Sequence, residues 1–381
     1  MPNHGLINVQ DSAVIRHLLS LSILFETSDP STEPLIRQEM EAAAKLLDLK
    51  VELQPLSLQE CESAVSPRTA RYAVTLISDV LGARPLHEVS QALARSGLNI
   101  DSIKRLSEGD FSCVEILVST PKEQGERDLS RLKKELLGIA QAEGADIALQ
   151  AEGLYRRAKR LVVMDMDSTL IQSEVIDELA REKGVYDEVA AITHAAMSGK
   201  MDYDESLRQR CAKLKGLEQA DLERVFQRIQ LTPGAQDLIR VLKKLGYKIA
   251  ILSGGFSFVA DRLRDQLGID FSYSNLLEMS GGRVTGEVRA PIVNAQRKAD
   301  LLDVIAQQER IDLDQVIAIG DGANDLLMLA KAGLGIAFNA KPAVREQADT
   351  SLSSRNMRSI LYLLGLSGRD LAKVLPESSA R

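Results

Sequence analysis

Residues 160–171 read RLVVMDMDSTLI: an apolar, β-branched run that ends in Asp165 and Asp167, with the hydroxyls of Ser168 and Thr169 close behind. A short, wholly apolar run of this kind fits a strand buried on both faces of a parallel sheet. Three later runs have the same texture: KIAILS (248–253), QVIAIGD (315–321) and LGIAFN (334–339). Helical stretches separate all four, which predicts an α/β fold, a Rossmann-like parallel sheet covered on both sides. The interval 176–228 is helical, charged and strandless. It is too long for a crossover and reads as a helical cap at about 176–230 inserted into the α/β domain. A second insertion, YSNLLEMSGGRVTGEV (273–288), predicts a β-hairpin turning at Gly281 and Gly282.

Composition narrows the function classes. The chain has 381 residues, enough for two or three domains, with 45% hydrophobic and 27% charged residues. A formal net charge of −7 argues against general affinity for nucleic acid or a membrane surface. No apolar stretch is long enough to span a bilayer, and MPNHGLINVQ (1–10) lacks the pattern of a signal peptide. Cys61, Cys113 and Cys211 are too scattered for a metal or redox motif and predict reduced thiols in a cytoplasmic protein. His4, His17, His87 and His194 all fall outside the acidic motifs. Zinc or histidine-based catalysis is therefore disfavoured, and any chemistry is expected to run on carboxylates.

Upstream, residues 71–151 predict strand, helix, strand, strand, helix, strand, an α+β unit with both helices on one face of an antiparallel sheet. The EGD at 108–110 supplies a hairpin turn. This unit (70–152) resembles the ACT domain, the small amino-acid-sensing module of biosynthetic enzymes. The resemblance implies that the turn SDVLGARPLHEV (78–89), with Gly82, would meet an amino-acid effector, although the usual order of that turn is altered. The unit reads either as such a sensor or as an assembly surface. Edge-to-edge pairing of such sheets favours a homodimer. Residues 1–69, with SLSILFE (20–26), LIRQEMEAAAKLL (35–47) and KVELQPL (50–56), read as a shortened, degenerate copy. The tail 367–381 is expected to be loosely ordered.

The three strand ends carry the chemistry. Asp165, Ser253 in ILSGGF and Asp321 in IGDGANDLLML each close a strand, and ligands of open parallel sheets sit beyond those carboxyl ends. Residues i and i+2 of an extended segment point the same way, so Asp165 and Asp167 share a face. Asp321 and Asp325 add further carboxylates. Such a cluster calls for a compensating cation, and an all-oxygen ligand set suits Mg²⁺. Lys298 falls in the first turn of a predicted helix, where the helix dipole disfavours a cation by roughly 0.3–1 kcal/mol unless an anion is near. Ser253, Gly254 and backbone amides after Asp167 can cradle phosphate oxygens. Asp165 can then attack phosphorus, with Asp167 moving the proton. Asp325 reads either as a helix cap or as a group supporting the metal.

DMDSTL (165–170), SGGF (253–256), Lys298 and GDGANDLLML (320–329) together resemble the four motifs of the haloacid-dehalogenase-like phosphatases, and most closely their phosphoserine phosphatase branch. The resemblance spans about 160–366. It implies Asp165 as nucleophile and Asp167 as acid–base. Asp165, the carbonyl of Asp167, and Asp321 would hold the metal, while Ser253, Gly254, Lys298 and Asn324 would hold the phosphoryl group. It also implies Glu174 and Arg210, in IQSEVIDELA (171–180) and ESLRQRCAKL (205–214), as substrate contacts in the cap. That pair suits the ammonium and carboxylate of O-phosphoserine, although either residue also fits a surface ion pair. Cap hinges are expected near 172–174 and 231–234. Release of L-serine through an aspartyl-phosphate, as the last step of serine biosynthesis, is the implied activity. Transfer to another acceptor, another small phosphomonoester, or an inert amino-acid-binding regulator are the alternatives.

Overall fold

The computed structural model describes residues 5–15, 18–26, 30–55, 57, 70–107, 111–120, 129–354 and 356–375. The expected turn at 108–110, Cys61 and residues 376–381 lie outside this set. The chain divides into two compact units, 1–68 and 69–381. In the first, β1 (Gly5–Ile15) pairs antiparallel with β2 (Leu18–Glu26), and α1 (Glu33–Leu46) follows with proline in its first turn. No strand forms over residues 50–55 of KVELQPL. β2 takes its partner from the residues before it instead, and Pro55 has no N–H to offer a ladder.

The second unit begins with the expected α+β module. Its elements are β3 (Ala70–Ser78), α2 (Ala83–Arg95), β4 (Asn99–Arg105), β5 (Ser112–Thr120), α3 (Ser130–Glu143) and β6 (Asp146–Ala151). The strands form an antiparallel sheet in the order β4-β5-β3-β6. Alternation along the strands separates two apolar faces. Val74, Leu76, Ile116 and Val118 pack with Val89 and Leu93 of α2 and Leu132 and Leu136 of α3. Ile77, Cys113 and Ala148 join the core that contains Leu361, Tyr362 and Leu363. A single helical turn, Leu154–Arg157, then leads to the α/β domain. Arg156 is anchored there by Glu115 of β5 and by Glu152.

The α/β domain is built on the sheet β10-β9-β8-β7-β11-β12-β13. At its centre β7 (Leu161–Met164), wholly buried, lies parallel to β8 (Lys248–Phe256) and β11 (Val316–Gly320). β12 (Leu334–Phe338) follows as expected. Two strands were not among the expected parallel set. β9 (Phe271–Ser280) pairs parallel to β8 and also forms the hairpin with β10 (Arg283–Arg289), and β13 (Thr350–Leu352) pairs parallel to β12. Both lie towards a sheet margin, where mixed burial replaces the continuous apolar signal.

Between β7 and β8 come the cap helices α4 (Val175–Lys183), α5 (Tyr186–Met197), α6 (Tyr203–Lys213) and α7 (Gln219–Arg228), followed by α8 (Ala235–Lys244). The two cap connections run side by side. Gln172 N–H donates to the Gln230 carbonyl at 3.0 Å, and its side chain donates to the Leu231 carbonyl at 2.8 Å. The remaining helices are α9 (Ser257–Leu267), α10 (Ala295–Glu309), α11 (Leu326–Lys331), α12 (Ser359–Leu363) and α13 (Gly368–Ala372).

α13 corrects the expectation of a loose tail from 367. Ser367 caps it, Gly368 N–H donates to the Leu106 carbonyl at 2.7 Å, and Leu371 and Leu375 are buried. Leu371 in the helix and Leu375 in the turn just beyond it supply the apolar side chains that the segment buries. Among the described residues, no helix is long and apolar enough to cross a membrane.

Candidate active site

The chain leaves β7 through a turn over Met166–Leu170 in which Ser168 takes the left-handed conformation, φ 57°. That bend sends two carboxylates into one cleft. Asp165 Oδ1 accepts from Met166 N–H at 2.7 Å. Asp167 Oδ1 accepts from Val175 N–H at 2.8 Å, and its Oδ2 accepts from the Ser253 hydroxyl at 3.3 Å. From the next strand, Asp321 Oδ1 accepts from the Thr169 hydroxyl at 3.0 Å. Lys298, on the first turn of α10, is fully buried, with Nζ 2.9 Å from Asp165 Oδ2 and 2.7 Å from Asp325 Oδ1. Asp325 also accepts from Gly322 N–H at 3.1 Å, so it both supports its own loop and pairs the lysine.

Charge is out of balance here. Burial alone would favour a neutral Lys298, but Asp165 and Asp325 outweigh it and keep the ammonium charged. Asp167 is pushed well above the usual carboxylate range, first by desolvation and then by Glu174 and Asp165. Desolvation, with Asp165 next, lifts Asp321 and Asp325 to about 7. One oxygen from each of Asp165, Asp321 and Asp325 lies within 4.8 Å of the others. Carboxylate oxygens held this closely, with one lysine among them, fit a hard divalent cation. The Asp167 carboxylate is turned to Val175 and Ser253 instead. Protonation of the cluster and cation binding are thus competing ways to relieve the same repulsion.

The remaining expected residues sit around this cluster. Ser253 is buried, and its hydroxyl also accepts from Gly255 N–H at 2.8 Å. A Cβ at Gly254 would lie 2.1 Å from the Tyr203 hydroxyl, and one at Gly255 would lie 2.2 Å from Asp167 Oδ2. The SGG sequence is therefore a requirement for close approach. Asn324 occupies a helical turn over Ala323–Asp325, and a Cβ at Gly322 would strike its Oδ1 at 2.2 Å. Glu174 precedes α4 and accepts from the Ser168 hydroxyl at 2.7 Å. Crowding by protein atoms raises its pKa, while the Arg210 charge acts to lower it. Arg210 donates within α6 to the Ser206 carbonyl at 3.3 Å. Glu174 and Arg210 thus feel each other electrostatically without forming an ion pair between themselves.

Several polar residues at the site have no role in the sequence reading: Thr232, Tyr203, Asp204, Asn275 and Asn294, while Thr169 was noted there only as a hydroxyl beside the aspartates. Thr232, whose hydroxyl donates to the Thr169 carbonyl at 2.6 Å, ties the cap base to the aspartate turn. For Thr169 the signal was its place two residues after Asp167. For Asn275, whose partners lie at 254 and 293, no local spacing could have disclosed it.

Comparison with known proteins agrees with this arrangement. Residues 159–333 match the haloacid dehalogenase-like hydrolase family, and residues 70–150 match the ACT domain. A phosphoserine phosphatase from Streptomyces coelicolor is 46% identical over 301 residues, covering 79% of this chain and 72% of the relative. One from Archaeoglobus fulgidus is 39% identical over 353 residues, 92% of this chain and 99% of that one. A solved structure described as a phospho-aspartyl intermediate analogue of phosphoserine phosphatase superposes with a TM-score of 0.51 at 43% identity, covering 54% of this chain and 98% of that chain. The chain belongs to the phosphoserine phosphatase family of haloacid dehalogenase-like hydrolases and carries an ACT domain ahead of the hydrolase fold.

Proposed function

We propose that this enzyme hydrolyses O-phospho-L-serine to L-serine and phosphate through an aspartyl-phosphate on Asp165. The observation that carries the reading is the set of Asp165, Asp167, Lys298 and Asp321 around one cleft, with Asp165 paired to a buried ammonium. The pairing fixes the direction of the Asp165 carboxylate. An Asp165 oxygen forms the new bond to phosphorus as the bond to the serine oxygen breaks, and Asp167 gives its proton to that departing oxygen. Water then attacks the phosphorus, Asp167 takes the water's proton, and the bond to Asp165 breaks to release phosphate. Raised by burial and by neighbouring carboxylates, Asp167 is suited to hold that proton between the two steps.

Mg²⁺ held by Asp165, the Asp167 carbonyl and Asp321 would supply charge neutralisation for the phosphoryl oxygens. Ser253, Gly254, Lys298 and Asn324 hold the phosphoryl group. Lys298 needs no large movement for this, because it already lies against the nucleophile. In the cap, Glu174 faces the ammonium of the substrate and Arg210 its carboxylate, where a guanidinium can bind two oxygens at once. The role is completion of L-serine synthesis in the cytoplasm, by a homodimer whose ACT domain binds an amino-acid effector.

The substrate assignment is tested with Arg210→Ala on phosphoserine and on p-nitrophenyl phosphate, which lacks a carboxylate. The expected result is a fall in kcat/KM of roughly a hundredfold on phosphoserine, consistent with loss of a charge-assisted pair, and only a small change on the aryl ester. Equal losses on both substrates would remove Arg210 from carboxylate recognition.

A further inference from the structure

Asn275, on β9, is a fully buried polar residue away from the carboxylates. Its Nδ2 donates to the Gly254 carbonyl at 2.8 Å, and its Oδ1 accepts from Val293 N–H at 2.8 Å. The two partners fix which end of the amide is which, since one offers only an acceptor and the other only a donor. Asn275 thereby fastens the carboxyl end of β8 to the entry of α10. The next residue, Asn294, caps that helix, accepting from Arg297 N–H at 3.0 Å, and the helix carries Lys298. The phosphate-side strand end and the lysine helix are thus braced as one polar bracket.

Two consecutive cap residues meet the two ends of this bracket. The Tyr203 hydroxyl donates to the same Gly254 carbonyl at 3.4 Å. Asn294 Nδ2 donates to Asp204 Oδ1 at 3.1 Å. Both residues belong to the first turn of α6, and Arg210 projects from the same helix two turns on. Burial raises the Tyr203 pKa, so its hydroxyl keeps the proton it donates. The seat exists because residue 254 is glycine: any Cβ there would occupy the position of the phenol oxygen.

We propose that Tyr203 and Asp204 form a two-point latch that closes the cap onto the Asn275 bracket, setting Arg210 in register with Gly254 and Lys298 whenever the cap is shut. Tyr203, Asp204 and Asn275 are positioning residues. None of them moves a proton or touches phosphorus; they set how much of the time the cleft is assembled. The assignment of Arg210 to a substrate carboxylate rests on the phosphoserine reading, whereas the latch itself is a property of the unliganded chain. Closure held by two contacts rather than one also fixes the rotation of α6, which a single contact would leave free.

The test uses the full chain with Tyr203→Phe, which keeps the ring and removes the hydroxyl, with Asp204→Ala, and with both together. KM and kcat for phosphoserine are measured alongside amide hydrogen exchange without substrate. A hydrogen bond of ordinary net strength corresponds to roughly two- to tenfold in an equilibrium constant. Each single substitution is expected to raise KM by about that factor and the pair by more, with no fall in kcat. Exchange over 203–207 is expected to quicken while that of β3 and β5 stays unchanged. Unchanged KM and exchange would overturn the latch. So would a fall in kcat at constant KM, which would place the hydroxyl in the chemical step. Failure of the wild-type chain to turn over phosphoserine would remove the substrate reading alone, because the exchange measurement still decides the latch.

Discussion

Asp165 and Asp167 are the same residue type, two positions apart, and their surroundings make them different acids. Asp165 lies against the Lys298 ammonium, whereas Asp167 is buried against Ser253 and Val175 with Glu174 and Asp165 adding negative charge. The first lies against a cation and the second is favoured as a protonated acid, the division of labour that attack and leaving-group protonation require. Asp167→Asn is therefore expected to lower kcat on phosphoserine by roughly 10²–10⁴-fold, the usual worth of general acid–base catalysis. The loss in kcat/KM, which reports phosphoenzyme formation and not its hydrolysis, should be much smaller on p-nitrophenyl phosphate, whose phenolate leaves without a proton. Steady-state kinetics on the two esters checks this, and an equal loss on both would mean that Asp167 acts on something other than the leaving group.

The DMD spacing made this pair visible in the sequence, because residues two apart on an extended segment share a face. Lys298 was visible as a cation at the wrong end of a helix, and its burial between two aspartates explains the misplacement. Asp325 could be read as a helix cap or as a group supporting the metal; its side chain makes no cap bond to α11 and accepts instead from Gly322 N–H in its own loop and from the lysine. Glu174 and Arg210 are the case where sequence pattern said more than geometry does, since they are coupled by charge but not joined by a contact.

At the level of elements, four strands could be read because β7, β8, β11 and β12 are almost entirely buried and so almost entirely apolar. β9 was read only as a hairpin arm and β13 escaped, because partial exposure breaks that run, and α13 escaped because five residues carry too little periodicity to mark a helix. The carboxyl end of β8 shows how one element sets another. With no side chain at 254 and 255, the backbone lies against Tyr203 on one side and Asp167 on the other. Gly255→Ala is expected to displace the Asp167 carboxylate and lower kcat at least tenfold, while circular dichroism and the cooperativity of thermal unfolding stay native. Wild-type kcat in this variant would show that the strand end has slack that the observed approach denies.

For the whole molecule, the carboxylate cluster is a stability liability that a cation removes. Asp321 and Asp325 titrate near pH 7 in the folded chain against a reference value of 3.8. Folded protein therefore binds more protons than unfolded protein between those values, and stability falls as pH rises through that window. Chelator-treated protein is expected to lose Tm steadily from about pH 4 to pH 7. Added Mg²⁺ should raise Tm most at the upper end, where both carboxylates are ionised and the ion has most repulsion to relieve. Thermal scans across pH with and without Mg²⁺ check this; a flat chelated profile, or equal stabilisation at every pH, would contradict it. The ACT module shares a core with α12 and α13, and so is packed against the hydrolase fold it precedes in sequence. Nothing in the alternation of its strands distinguished the face that packs on its own helices from the face that packs on that distant segment.

The most direct measurement is capture of the phosphoenzyme. Wild-type protein and Asp165→Asn would be mixed with phosphoserine labelled in its phosphate, quenched in acid, digested and mapped. The expected result is label on the wild-type peptide that contains residue 165, released by hydroxylamine as an acyl phosphate is, and no label on the variant. Label that survives in Asp165→Asn, or that resists hydroxylamine, would contradict attack by this carboxylate and with it the role assigned to the cluster.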